Sequence, residues 1–294
     1  MSKKVVINRL DVTALQDSLV ESAMACPAPN GPWRKPKLVE YVRDQRQWDG
    51  ITYVTDKLLH LGGQIESKHK VAILMEPPEL LPQIYHIIQE HEDDYDLILT
   101  YVYELLEKNP EKYVFYPADM AAIEEENCKM HPKSKLISMI YSDKTILPGH
   151  KLRHAIANQL IPAIGYDKID FYGTGTVNPI ENKSEGCIDY MFQIAIENAH
   201  RPYYFADKLL DCFITGCIPI YWGCPNIGEF FDTRGMLIFN SAEELVEILQ
   251  SLSEEKYNSM LEYAKINFDI VTKDYTCPDD LIFEIVKERL GEDL

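Results

Sequence analysis

The chain is short of positive charge. Its 29 Lys and Arg residues stand against 47 Asp and Glu, a formal charge of −18 over 294 residues. A surplus of that sign repels polyanions unless the basic residues gather on one face, and no dense basic stripe occurs. Neither nucleic acid nor an anionic lipid surface is expected as a partner. Long apolar runs are lacking as well; none approaches the roughly 18 residues of a membrane span. The opening Met1-Ser2-Lys3-Lys4-Val5-Val6-Ile7-Asn8 has too few apolar residues for a signal peptide. The seven cysteines are odd in number and include no CxxC pair, which fits reduced, mostly buried thiols. His200 and Cys187 come nearest to a metal cluster, and their spacing supports none. No Walker A loop occurs. A cytoplasmic protein with no integral membrane segment and no metal is the expectation.

With 46% hydrophobic and 26% charged residues, the composition is that of a globular protein. Short apolar runs alternate with helical patterns in two series. The first contains strand candidates at 5–7, 51–54, 71–75, 97–101 and 113–116, with helices expected over 13–25 and 80–90. Cys26-Pro27-Ala28-Pro29-Asn30-Gly31-Pro32 reads as a loop. The second series begins near Lys135, with strands expected at 136–141, 168–172, 191–196 and 218–222. Helices are expected over 149–161 and 204–215, the latter with Phe205, Leu209, Cys212 and Phe213 on one face. Gly216 stands where a helix-ending glycine belongs. Ser241-Ala242-Glu243-Glu244 is a capping box ahead of a mostly helical C-terminal region. Alternation of this kind predicts α/β organisation. Two Rossmann-like halves facing a cleft are expected, an N-terminal domain over 1–134 and a C-terminal domain over 135–294.

Several residues then carry possible chemistry. In open α/β sheets the carboxyl ends of strands border the ligand crevice. Asn198 ends one strand with Glu197, and Asp207 and Lys208 lie in the first turns of the next helix. Arg153 sits on the helix after the first strand of the second series. Arg153 and Lys208 are candidate phosphate ligands, Asn198 a contact to a ribose or phosphate oxygen, and Asp207 a contact to a ribose hydroxyl. As plain structure, Lys208 is a surface charge and Asp207 a helix-N-terminal acid favoured by the dipole. Glu76 ends an apolar strand and is followed by Pro77-Pro78, which restrict its backbone. It is the candidate general base, with Glu79 as a rival and a solvated strand end as the plain alternative. Asp94-x-Asp96 has the spacing of a divalent-ion motif, but it sits between a helix and a strand, where an acidic turn is ordinary. Gly173-Thr174-Gly175-Thr176 lacks the third glycine of a dinucleotide fingerprint. It reads as a tight turn able to line a cleft.

The stretch from Gly186 to Phe239 resembles the fucosyltransferases of glycosyltransferase family 10. The likeness rests on Tyr190-Met191-Phe192-Gln193-Ile194-Ala195-Ile196-Glu197-Asn198, Ala206-Asp207-Lys208-Leu209 and Ile218-Pro219-Ile220-Tyr221-Trp222-Gly223 with Asn226-Ile227. A weaker likeness runs through Ile140-Tyr141-Ser142-Asp143, Arg153 and Ile169-Asp170-Phe171-Tyr172-Gly173. The resemblance implies a GT-B fold, with the donor nucleotide in the C-terminal domain and the acceptor in the N-terminal one. It also implies metal-independent, inverting transfer of L-fucose from GDP-L-fucose to a glycan hydroxyl, with no cofactor beyond the donor substrate. Arg153 and Lys208 resemble the diphosphate ligands, Asn198 a donor contact and Glu76 the base. Asp207 and Ala206 depart from the family's usual Thr-Glu-Lys, and the acid is one methylene shorter. A transferase using another UDP- or GDP-sugar, a metal-dependent transferase using Asp94 and Asp96, and a non-catalytic glycan-binding protein remain as alternatives.

Overall fold

The computed structural model describes residues 4–10, 36–43, 45–75, 77–79, 81–176 and 178–291. They form two compact units: 1–118 together with 277–294, and 119–276. The division thus falls at 118/119, where the sequence suggested 134/135, and the last helix, Pro278–Leu290, joins the first unit.

The first unit is built on a six-stranded sheet. Its strands are β1 (Val5–Leu10), β2 (Val39–Arg43), β3 (Gln47–Thr55), β4 (Glu66–Ile73), β5 (Leu97–Thr100) and β6 (Tyr113–Phe115). They lie in the order β2-β1-β3-β4-β5-β6, every neighbouring pair parallel. Helices α1 (Pro82–Glu90) and α2 (Tyr103–Lys108) are the connections before and after β5. The run Val71-Ala72-Ile73-Leu74 is wholly buried, as a continuous apolar strand in a covered parallel sheet must be. The expected helix over 13–25 lies outside the described residues.

The second unit carries a five-stranded, all-parallel sheet: β7 (Lys135–Ile140), β8 (Ile169–Tyr172), β9 (Tyr190–Ile196), β10 (Ile218–Trp222) and β11 (Leu237–Ile238), ordered β11-β10-β9-β7-β8. Helix α3 (Pro148–Ala155) continues through a π-turn at Ile156–Leu160 into α4 (Ile161–Ile164). Helix α5 (Asp207–Thr215) joins β9 to β10. It begins three residues later than its apolar pattern suggests, because Ala206 is extended, and the chain just before it turns at Tyr203 with φ +62°. That left-handed turn is uncommon for a residue with a side chain, and here the Tyr203 N–H donates to Asn226 Oδ1 at 2.9 Å. Apart from Lys208, α5 is buried along its length, so it is a core helix where one apolar face was expected. Gly216 ends it at φ +73°, as a left-handed helix stop requires.

Helices α6 (Ala242–Ser251) and α7 (Glu254–Asp274) complete the unit. Ser241 Oγ accepts the Glu244 N–H at 3.2 Å, while Glu244 Oε2 reaches back to the Asn240 N–H at 2.6 Å. Both halves of the expected capping box therefore exist, one displaced by a residue. No helix among the described residues is long and apolar enough to cross a membrane. The cysteines at 187, 212, 217 and 224 are buried and unpaired, and those at 128 and 277 are partly exposed.

Candidate functional site

The carboxyl edge of the second sheet frames a cavity of about 350 Å³. Ile140 at the end of β7, Gly173 after β8 and Asn198 after β9 border it, with residues from the first turns of α3 and α5. In a doubly wound sheet this is where a ligand crevice forms. Arg153, Asn198, Asp207 and Lys208 all line it, joined by Lys144, His150, Lys183 and Asp211. The turn through Gly173 and Thr174 also borders it.

Arg153 is buried at 4% exposure and rigidly held. Its Nε donates to the Ile196 carbonyl at 3.1 Å and its Nη2 to Asn198 Oδ1 at 2.6 Å. Burial lowers its pKa from the usual guanidinium value, though a guanidinium stays charged. Close approach of α3 to the end of β9 requires Gly149. A Cβ there would fall 1.7 Å from the Glu197 carbonyl oxygen, and the Gly149 N–H donates to the Asn198 carbonyl at 2.9 Å. One glycine thus sets Arg153 against the strand end.

Asp207 opens α5 between two lysines. Its Oδ1 accepts from Lys208 at 2.8 Å, and its Oδ2 pairs with Lys183. Burial alone would raise this carboxyl, but Lys183 and Lys208 outweigh it and hold the group well below the ordinary range. Lys183 also lies 3.8 Å from Asp211. Asp211 is buried and pushed up to about 7, chiefly by desolvation, while its Oδ1 accepts the Ala122 N–H at 2.5 Å. Ala206, the residue before α5, has no side-chain oxygen to cap the helix. Among the described residues no cap side chain accepts the leading N–H groups, and the helix dipole favours an anion there.

Glu197 lies beneath this arrangement, with no exposed surface. Its Oε1 accepts the Ala206 N–H at 2.9 Å, and its Oε2 has no partner among the described residues. Desolvation raises its pKa to about 7 from an ordinary 4.5. Between those two values the folded chain holds a proton that the unfolded chain has released, so this group's contribution to stability falls as pH rises through the window. Glu197→Gln keeps an acceptor for Ala206 and removes the titration. Urea unfolding at pH 5 and pH 8 is expected to show the variant gaining about 1–3 kcal/mol over the wild type between the two pH values. An unchanged difference would show that Glu197 does not titrate in this range.

Glu76 lies outside the described residues, and Glu79 is exposed. Asp94 Oδ2 is 2.8 Å from His91 Nδ1, and Asp96 Oδ2 accepts the Lys70 N–H at 2.8 Å. Both carboxylates thus tie the turn before β5. Among the described residues no group of three or more His, Cys, Asp or Glu side chains is placed to hold a metal. Lys183 and His150 carry no sequence signal of a role. Lys183 stands 24 positions before Asp207, at the start of a short 3₁₀ turn (Lys183–Gly186), and only the tertiary structure joins them.

Comparison with known proteins gives consistent results. The model for the C-terminal region of glycosyltransferase family 10 (fucosyltransferase) matches residues 130–276. Two curated relatives are an alpha-(1,3)-fucosyltransferase FucT from Helicobacter pylori, 28% identical over 80 residues, and alpha-(1,3)-fucosyltransferase B from Drosophila melanogaster, 34% identical over 107. These alignments take in 26% and 31% of this chain but only 17% and 24% of the relatives' lengths. Among solved structures, an alpha1,3-fucosyltransferase with GDP-fucose superposes with a TM-score of 0.56 at 14% identity, covering 99% of this chain and 91% of that one. A trehalose-6-phosphate synthase, OtsA, gives 0.54 at 11%, covering 83% and 72%. At such identities the likeness is one of fold: two parallel-sheet, Rossmann-like units of the GT-B type.

Proposed function

We propose a sugar-transfer function from one premise: the chain belongs to glycosyltransferase family 10, whose model spans half of its residues. In this reading the protein is an inverting, metal-independent transferase. It moves a sugar from a nucleotide-sugar donor, GDP-L-fucose before others, to a glycan hydroxyl. The observation that carries it is the convergence of Arg153, Lys183 and Lys208 with the uncapped start of α5 on one cavity. In a chain of net charge −18, such a cluster is a local reversal suited to a diphosphate.

Each residue then has a task. Arg153 and Lys208 neutralise the diphosphate, whose negative charge grows as the bond to the sugar breaks. Preorganised donors aimed at developing charge are often the largest catalytic term. Asn198, fixed through Arg153, contacts the donor, and Asp207 meets a ribose hydroxyl. Glu76 takes the proton from the acceptor hydroxyl as its oxygen attacks the anomeric carbon on the face opposite the nucleotide. The new glycosidic bond forms as the carbon–phosphate-oxygen bond breaks, and the nucleotide diphosphate leaves with the electron pair.

Asp207 favours a second reading within the same class. It replaces the family's usual glutamate, and Lys183 engages its carboxylate, so the nucleoside contact can differ and with it the donor. Incubation with GDP-L-fucose and with other GDP- and UDP-sugars, without acceptor, tests both readings. Slow release of L-fucose with GDP is the expected result. Turnover of a different donor instead would retain the transferase and reject fucose.

A further inference from the structure

The donor-site reading assigns no task to His150, a titratable side chain of the cavity. His150 is the third residue of α3, is 7% exposed and lines the cavity beside Arg153 and Lys208. The backbone N–H of Leu147 points at its Nδ1 from 3.1 Å. A backbone amide can only donate, so Nδ1 is the acceptor and the proton of the neutral ring sits on Nε2. Nε2 takes no part in that bond and is left as the ring's donor.

The surroundings keep the ring neutral. Burial, and then the charges of Arg153, Lys144, Lys208 and His154, lower its pKa to about 4. A neutral imidazole of fixed tautomer adds no charge to the site. It supplies a hydrogen-bond donor of fixed direction, which is how an uncharged histidine can serve an oxyanion. The lysines and Arg153 attract an anion, whereas this ring gives its oxygen a position.

We propose that His150 donates a hydrogen bond from Nε2 to a phosphate oxygen of the bound nucleotide, as a third ligand beside Arg153 and Lys208. The assignment rests on the donor-site reading above and adds a specific contact to it. It also accounts for the Leu147 hydrogen bond, which fixes the tautomer and leaves Nε2 as the donor of a residue that lines the cavity.

GDP titrations by calorimetry on wild type, His150→Gln, His150→Asn and Lys208→Ala, each with a thermal melt, test the assignment. Glutamine at the third helical position can accept the Leu147 N–H, as in a capping box, and still offer an N–H at the longer reach. His150→Gln is expected to bind GDP within about threefold of wild type. Its affinity ratio to wild type should stay constant from about pH 5.5 to 8, since neither donor changes charge there. Asparagine is too short for the contact, and His150→Asn is expected to bind about tenfold more weakly, the loss of one hydrogen bond to a charged group, with its Tm close to wild type. Wild-type affinity in His150→Asn would overturn the assignment. Equal weakening in both variants with a fallen Tm would also do so, by showing a helix-capping role alone. Loss of GDP binding in Lys208→Ala with no change in His150→Asn rejects His150 and leaves the donor site standing. No GDP binding by the wild type overturns the donor site and His150 together.

Discussion

Glu76→Gln is expected to lower turnover by about 10²- to 10⁴-fold, the usual cost of removing a general base, while leaving GDP affinity unchanged. In the proposed mechanism the base acts on the acceptor hydroxyl, whereas Arg153 and Lys208 are assigned to the diphosphate. Glutamine preserves the size of the side chain but cannot take a proton. Steady-state kinetics with saturating donor, beside a direct GDP titration, separate the two effects. Glu79→Gln, three residues on and exposed, is the control and should retain turnover. Full activity in Glu76→Gln would move the base elsewhere, and loss confined to Glu79→Gln would name it.

Arg153→Ala is expected to weaken GDP binding by about 100-fold, close to 3 kcal/mol, the upper range for a hydrogen bond to a charged group. Two losses combine in this variant. The cation beside the diphosphate disappears, and the Ile196 carbonyl and Asn198 Oδ1 lose their donor. Asn198 then loses its tie to Arg153 and keeps only Tyr204 as a side-chain partner, so part of the effect is positional. Arg153→Lys restores the charge but not the planar fork, and recovery should be partial. Calorimetry on all three proteins, with urea unfolding to measure the accompanying loss of stability, gives the comparison. Wild-type affinity in Arg153→Ala would remove it from the site.

Much of this architecture can be read from the sequence, and the exceptions have physical causes. Strands such as Val71-Ala72-Ile73 and Ile218–Trp222 announce themselves because burial on both faces demands unbroken apolar runs. Gly216 and Ser241 mark helix ends by local backbone chemistry, which needs no tertiary knowledge. Strand β2 is harder to see, since Glu40 and Arg43 break up its apolar residues and among the described residues it pairs at one edge only. Helix α2 has six residues, too few to show a period. The return of Pro278–Leu290 to the first unit is a long-range event, held in part by Asp280, whose Oδ1 accepts the backbone N–H groups of Lys37 and Leu38 at 3.0 Å each.

The site divides in the same way. Asn198, Asp207 and Lys208 are near one another in sequence and sit at a strand end and a helix start, so their approach is foreseeable. Lys183, His150 and Asp211 lack that advantage. Lys183 reads as a loop charge, His150 as a helix residue and Asp211 as one more acid in an acidic chain. Their meaning comes from desolvation and from neighbours across the fold. Glu197 is intermediate: its position after β9 is legible, whereas its complete burial and unpartnered Oε2 are not.

The most direct test of the donor site is calorimetric titration of the wild type and Lys208→Ala with GDP and with UDP, each in magnesium and in EDTA. The account predicts GDP binding that is indifferent to EDTA, stronger than UDP binding, and lost or severely weakened in Lys208→Ala. GDP affinity that survives Lys208→Ala, or that vanishes with EDTA, would contradict it.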